Sequence, residues 1–327
     1  MSGITDIAGL KVGHYTDKAS ATGCTVILCE SGAVGGVDVR GSSPGTRETD
    51  LLRPTNLINE VHGILLSGGS AFGLDAASGV VAYLEEHNVG LHRGKATIPI
   101  VAAAILFDLG IITHKVRPGK DEGYAACQNA SDGPIAEGSV GAGTGATIAK
   151  LLGVDRTIKG GIGTASLNIG DNLVVGAIVA VNSIGGVYDL YSGSMIAGPR
   201  KSDGFTMCDS MSLITSPGFT RPTRSSESNT TIGVVATNAI LTKEEANKLA
   251  SVAHDGLAIT VRPAHTSHDG DTLFALATGA SKKPGDIDRI CAAATICVGN
   301  AIINGVRHAD SIGNVPSIKE LSHDGNI

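Results

Sequence analysis

The run Thr230–Thr237, T-T-I-G-V-V-A-T, constrains the fold most tightly. It is rich in β-branched residues and nearly continuous in apolar ones, which reads as a buried strand. The residues before it, 225–229, are S-S-E-S-N, short, polar and turn-prone, the composition of a loop. A loop entering a buried strand is ordinary, and threonine suits a strand boundary. A cut between Asn229 and Thr230 would make the junction unusual. Thr230 would then carry a hydroxyl and a free α-amine on one residue, and the amine can take the hydroxyl proton.

The rest of the core must be built from small aliphatic residues. Apolar residues make up 42% of the 327, yet aromatics are 3%, Trp is absent and Gly numbers 45. That mixture suits closely approaching strands and helices in a layered α/β protein. The formal net charge is −6 with no run of Lys or Arg, so no nucleic-acid footprint is expected. Six scattered cysteines form no C-x-x-C pair and read as buried free thiols of a reducing compartment. No N-terminal signal pattern and no apolar run of spanning length stand out, so a cytoplasmic protein without membrane partners is expected.

Along the chain, residues 1–40 read as β-structure, with 5–13 and 23–29 as strands. Residues 61–66 are strand-like, and the Gly-rich turn at 67–75 leads into a helix at 76–86. Residues 97–107 form another apolar stretch, and the small-residue segment around Tyr124 reads as helical. Four glycines within 137–150 exclude a helix interior there; the segment is a tight turn or a place where backbone meets ligand. Residues 159–182 read as a hairpin about a Gly170-Asp171-Asn172 turn. Thr242 and Glu245 form a capping box ahead of a helix with Ala246, Leu249, Ala250 and Ala253 on one face. Residues 258–261 read as a short strand, 272–277 as another, and 287–306 as a second helix. No linker or internal repeat separates these elements, so one domain over 1–327 with an internal cut is expected.

Four further residues are candidates for chemistry. Asp269 and Asp271 flank one glycine at a strand entrance, where two carboxylates can point the same way. Asp and Gly also favour plain turns, and the remainder of a calcium loop is missing. Lys159 precedes two glycines; a lone lysine is usually solvated, but one set against a nucleophile can steady an oxyanion. Asn182 closes an apolar strand, where its amide needs a partner, and an oxyanion is one such partner. The histidines show no metal spacing, and no G-x-S-x-G elbow occurs, so neither a metal nor a cofactor is expected.

Taken together, L-S-G-G-S-A-F-G-L-D at 66–75, S-V-G-A-G-T-G-A at 139–146, K-G-G-I-G-T-A-S at 159–166, N-T-T-I-G-V-V-A-T-N-A at 229–239 and D-G-D-T-L-F-A at 269–275 resemble the DmpA-type aminopeptidases. That family includes the β-aminopeptidases and the 6-aminohexanoate-oligomer (nylon-oligomer) hydrolases. The resemblance implies an α+β fold, a four-layer αββα sandwich shared with ornithine acetyltransferases. It implies a precursor cut into fragments 1–229 and 230–327, with Thr230 as nucleophile. Lys159, Asn182, Asp269 and Asp271 fall where the nylon-oligomer branch keeps its catalytic residues, and Tyr124 is the candidate for the family's active-site tyrosine. The implied activity is amide hydrolysis of small peptides, amino-acid amides or amino-acid oligomers through an acyl-threonine, by a homo-oligomer of processed heterodimers. The alternatives are an acyltransferase of the ornithine acetyltransferase type, whose processing context is absent around Asn229-Thr230, and a non-catalytic binding protein, which has no reason to split.

Overall fold

A computed structural model describes residues 2–222 and 229–323. The polar loop read at 225–228 lies outside them. Nine strands form one hydrogen-bonded sheet: β1 (Lys11–Asp17), β2 (Thr22–Val39), β3 (Thr46–Arg47), β4 (Glu60–Ser67), β5 (Val101–Ile105), β6 (Gly161–Asn168), β7 (Val174–Asn182), β8 (Thr230–Thr237) and β9 (Thr272–Ala277). Their order is β6-β7-β8-β9-β2-β4-β5-β3, with β1 on β2. Strand β2 belongs to both arms of the sheet. Its first part pairs with β4 and its last part with β9, and its register against β4 shifts between Leu28 and Ala33. The sheet therefore folds over itself.

The cores follow from this fold-over. Ile27, Ile64 and Ala102 of one arm meet Ile178, Ile232 and Phe274 of the other in a single inner core. Helices α1 (Ala76–Glu86) and α2 (Lys120–Gln128) cover the outer face of the first arm, against Val26, Leu28 and Leu65. Helices α3 (Lys243–Thr260) and α4 (Ile287–Arg307) cover the outer face of the second, against Val179, Val235 and Leu273. The result is the expected αββα layering. Each fully buried Val, Leu or Ile contributes about 1.5–3 kcal/mol, and nearly all of this comes from aliphatic side chains.

Several elements differ from the sequence reading at their edges. The helix begun by the Thr242–Glu245 capping box runs on to Thr260, so the strand expected at 258–261 is reduced to Val261–Arg262. The reason is periodicity: Leu249, Ala253, Leu257 and Thr260 keep helical spacing and are buried. At the N-terminus, Ile4–Asp6 is a 3-10 turn and the first strand starts at Lys11. Helix α4 is long and apolar enough to cross a membrane by length and composition, contrary to expectation. Two-thirds of its apolar window is buried against the rest of the chain, as in a core helix. All six cysteines are free.

Candidate active site

The site lies where β7 ends and β8 and β9 begin. Alternation along β8 sends Ile232, Val234 and Ala236 into the inner core, so Thr230 shares their face and Thr231 takes the opposite one. Asn182 is the register partner of Thr230 across the β7–β8 ladder. On the other side, Asn229 bridges in parallel to Asp269.

Asn229 and Thr230 are both buried. The Thr230 hydroxyl donates to the Asn229 carbonyl oxygen at 2.5 Å. The same oxygen accepts the Gly270 N–H at 2.8 Å. Glycine is required at 270 for room: a Cβ would lie 3.0 Å from Thr230 Oγ1 and 2.6 Å from the Ser43 oxygen. The two aspartates flanking it are held differently. Asp271 Oδ1 accepts the Thr231 N–H at 2.7 Å, and Oδ2 accepts the His265 N–H at 3.0 Å and faces His265 Nδ1 at 2.8 Å. Asp269 Oδ2 accepts the Thr266 N–H at 2.7 Å, whereas Oδ1 is buried without a hydrogen-bond partner among the described residues. Burial and the neighbouring Asp271 charge push the Asp269 carboxyl up, to about 6.

Asn182 is fully committed on its oxygen side. Its Oδ1 accepts the Thr147 N–H at 3.0 Å and Lys150 Nζ at 2.8 Å, and its Nδ2 donates to the Phe107 oxygen at 3.1 Å. The N–H seated on the Asn229 oxygen is thus that of Gly270. Lys159 is buried and turned to the main chain, donating to the oxygens of Ala146 (2.5 Å), Thr144 (3.0 Å) and Gly143 (3.5 Å). Its ammonium is lowered to about 7 by burial, against the opposing pull of Asp108. Tyr124 stands apart from this group. Its hydroxyl donates to Glu86 at 2.6 Å and its ring meets Tyr83 edge-on, both on the α1–α2 layer, and it makes no hydrogen bond to Thr230, Asn182, Asp269 or Asp271.

Lys150 is the residue that sequence reasoning missed. It is buried, donates to both the main-chain and side-chain oxygens of Asn182, and is lowered to about 7 by burial, with Asp269 pulling the other way. A lysine inside I-A-K-L-L, at the end of the Gly-rich 137–150 segment, was the available signal. Beside it opens a pocket of about 250 Å³ walled by Phe107, Asp108, Ile111, Thr147, Lys150 and Val154. Asp108 is anchored there by the Thr22 hydroxyl and the Gly69 N–H, each at 2.7 Å.

The sequence matches peptidase family S58 over residues 2–317. The chain belongs to this family. An uncharacterized aminopeptidase of Mycobacterium leprae is 43% identical, over 97% of this chain and 93% of that one. A 6-aminohexanoate-oligomer endohydrolase of Kocuria sp. is 31% identical, over 84% and 74%. In fold, this S58 chain is similar to a Burkholderia sp. β-aminopeptidase (TM-score 0.71, 22% identity, covering 100% and 94%). It is also similar to the L-aminopeptidase D-Ala-esterase/amidase of Ochrobactrum anthropi, described as a variant of the Ntn-hydrolase fold (TM-score 0.73, 19%, covering 99% and 94%). This S58 protein therefore has the DmpA-type fold and the standing of a peptide-bond hydrolase.

Proposed function

We propose that the protein is a self-processing amidohydrolase whose nucleophile is Thr230, released by cleavage of the Asn229–Thr230 bond. The observation that carries this is the placement of the Thr230 hydroxyl and the Gly270 N–H on one carbonyl oxygen, that of Asn229. In the maturation step Thr230 Oγ bonds to the Asn229 carbonyl carbon, and the Gly270 N–H stabilises the oxyanion. The C–N bond breaks, the hydroxyl proton passes to the departing nitrogen, and an ester remains. Water hydrolyses the ester to an Asn229 carboxylate and a Thr230 residue with free hydroxyl and amine.

The new amine, with an ordinary pKa near 8, is a suitable general base at neutral pH. A substrate amide then takes the place vacated by Asn229. Thr230 is acylated, the substrate amine departs with the transferred proton, and water releases the acid. Asp271 positions the start of β8 through the Thr231 amide. Lys150 lines the pocket and donates to Asn182, the register partner of Thr230. A pocket that mixes apolar Phe107, Ile111 and Val154 with the carboxyls of Asp108 and Asp155 suits a short, flexible acyl chain bearing an ammonium, as amino-acid amides and 6-aminohexanoate oligomers do.

Intact mass and a denaturing gel of the purified chain test the first half. Fragments of residues 1–229 and 230–327 are expected, the second beginning Thr-Thr-Ile-Gly-Val. A chain still uncut after long native incubation would end the proposal. A panel of amino-acid amides, β-peptides and 6-aminohexanoate oligomers tests the second half. Turnover confined to acetyl-ornithine with glutamate as acceptor would make the protein a transferase instead.

A further inference from the structure

Resting on the Thr230 reading, we infer that His265 is a positioning residue: two donors from this one residue hold one Asp271 oxygen, so that the other stays on the Thr231 amide. Asp271 is buried, and a buried carboxylate is tolerated only when donors surround it. Three reach it. Thr231 N–H takes Oδ1, and both the main-chain N–H and the ring Nδ1 of His265 converge on Oδ2. To bring both to one atom, His265 adopts φ +55°, a left-handed conformation that a side-chain-bearing residue rarely takes.

The ring's protonation follows from the partners. A carboxylate only accepts, so Nδ1 carries the hydrogen. Nε2 is buried with no hydrogen-bond partner among the described residues. The ring is backed edge-on by His254 of α3, at 4.9 Å between centroids and 67° between planes. His254 is fully buried, is lowered to about 4 by that burial, and so is neutral; its Nε2 meets the Asp38 oxygen at 3.0 Å. Two residues beyond Asp38, Arg40 donates its main-chain N–H to the main-chain oxygen of Asp271 at 3.0 Å. Asp271 is therefore braced from α3 through two imidazoles and from β2 through the main chain.

The test is the rate of self-cleavage of the full chain, followed from synthesis by intact mass, in a variant series. His265→Asn keeps a donor at the δ position and tolerates left-handed backbone, and it should cleave within about threefold of the parent rate, the spread ordinary for a retained contact. His265→Gly keeps the backbone but loses the ring donor, and it should slow by about tenfold or more, as for misplaced reacting groups. His265→Asp, the same size as Asn without its donor, should be at least as slow and replaces the Gly variant if that one does not fold. In an Asp271→Asn background the Gly change should add less than a factor of about two, because coupled residues are not additive. Equal rates for the Asn, Gly and Asp variants, or full additivity with Asp271→Asn, would overturn the inference. Cleavage surviving in Thr230→Ala would instead remove the reading beneath it, and a dead Thr230→Ala beside a flat His265 series would remove this inference alone.

Discussion

Thr230 and Thr231 are chemically alike and differ only in the face they present. Thr230→Ala should abolish cleavage and turnover, since no oxygen remains to attack. Thr230→Ser should keep part of both, losing only the methyl that restricts its rotamer. Thr231→Ala should still cleave, because its side chain lies on the opposite face; denaturing gels of the three variants check the pattern, and a dead Thr231→Ala beside a live Thr230→Ala would shift the assignment by one residue. Lys150 and Lys159, both buried, should separate by readout. Lys150→Met leaves both Asn182 oxygens short of a donor and should lower amide turnover by about 10²–10⁴-fold, the scale of a positioned group. Lys159→Met should act mainly on the melting temperature, because it strips a donor from main-chain oxygens at about 1–3 kcal/mol for each one left unsatisfied. Asp269 gives a pH test. Its folded pKa is raised, so its contribution to stability is complete below about 3.8, the ordinary unfolded value, and is lost as pH rises through about 6. Asp269→Asn should therefore melt higher than the parent at pH 7 and equal to it near pH 3.5; a difference that grows toward acid would contradict this. Which residues are present was legible in the sequence, as D-G-D and the Asn-Thr junction show. Which atoms they bond was not, because Lys150 and Phe107 reach Asn182, and Asp271 reaches Thr231, through contacts distant in sequence.

At the scale of elements, the strands β4, β7, β8 and β9 and the helices α1, α3 and α4 were readable because their apolar periods are long and their caps explicit. The fold-over of β2 was not readable. Gly32, at φ +79°, sits inside its register shift, but a glycine-rich strand looks the same whether straight or bent. The small-residue composition also has a local purpose. Strand β6 lies so close to α4 that a Cβ on Gly163 would stand 2.2 Å from the Gly305 nitrogen and 2.3 Å from the Ala301 oxygen. Both are backbone atoms and cannot swing aside. Gly163→Ala should cost about 1–3 kcal/mol or more by overpacking, read as a lower midpoint in urea. An unchanged midpoint would mean that β6 and α4 separate freely.

At the scale of the whole molecule, residues 230–327 supply β8, β9, α3 and α4, while residues before the proposed cut supply their neighbours β7 and β2. The fragments should therefore stay together after cleavage, and co-elution in size-exclusion chromatography with separation only in denaturant is the expected result. Strand β8 is an interior strand, paired antiparallel with β7 and parallel with β9. Newly made chain ends usually fray, yet this one would be created within a finished ladder, so folding has to come first. The consequence concerns reaction order. The uncut chain can refold at a rate independent of concentration, whereas two severed pieces must first find each other. Thermal damage that the precursor survives would then become, for the mature protein, a loss that deepens with dilution.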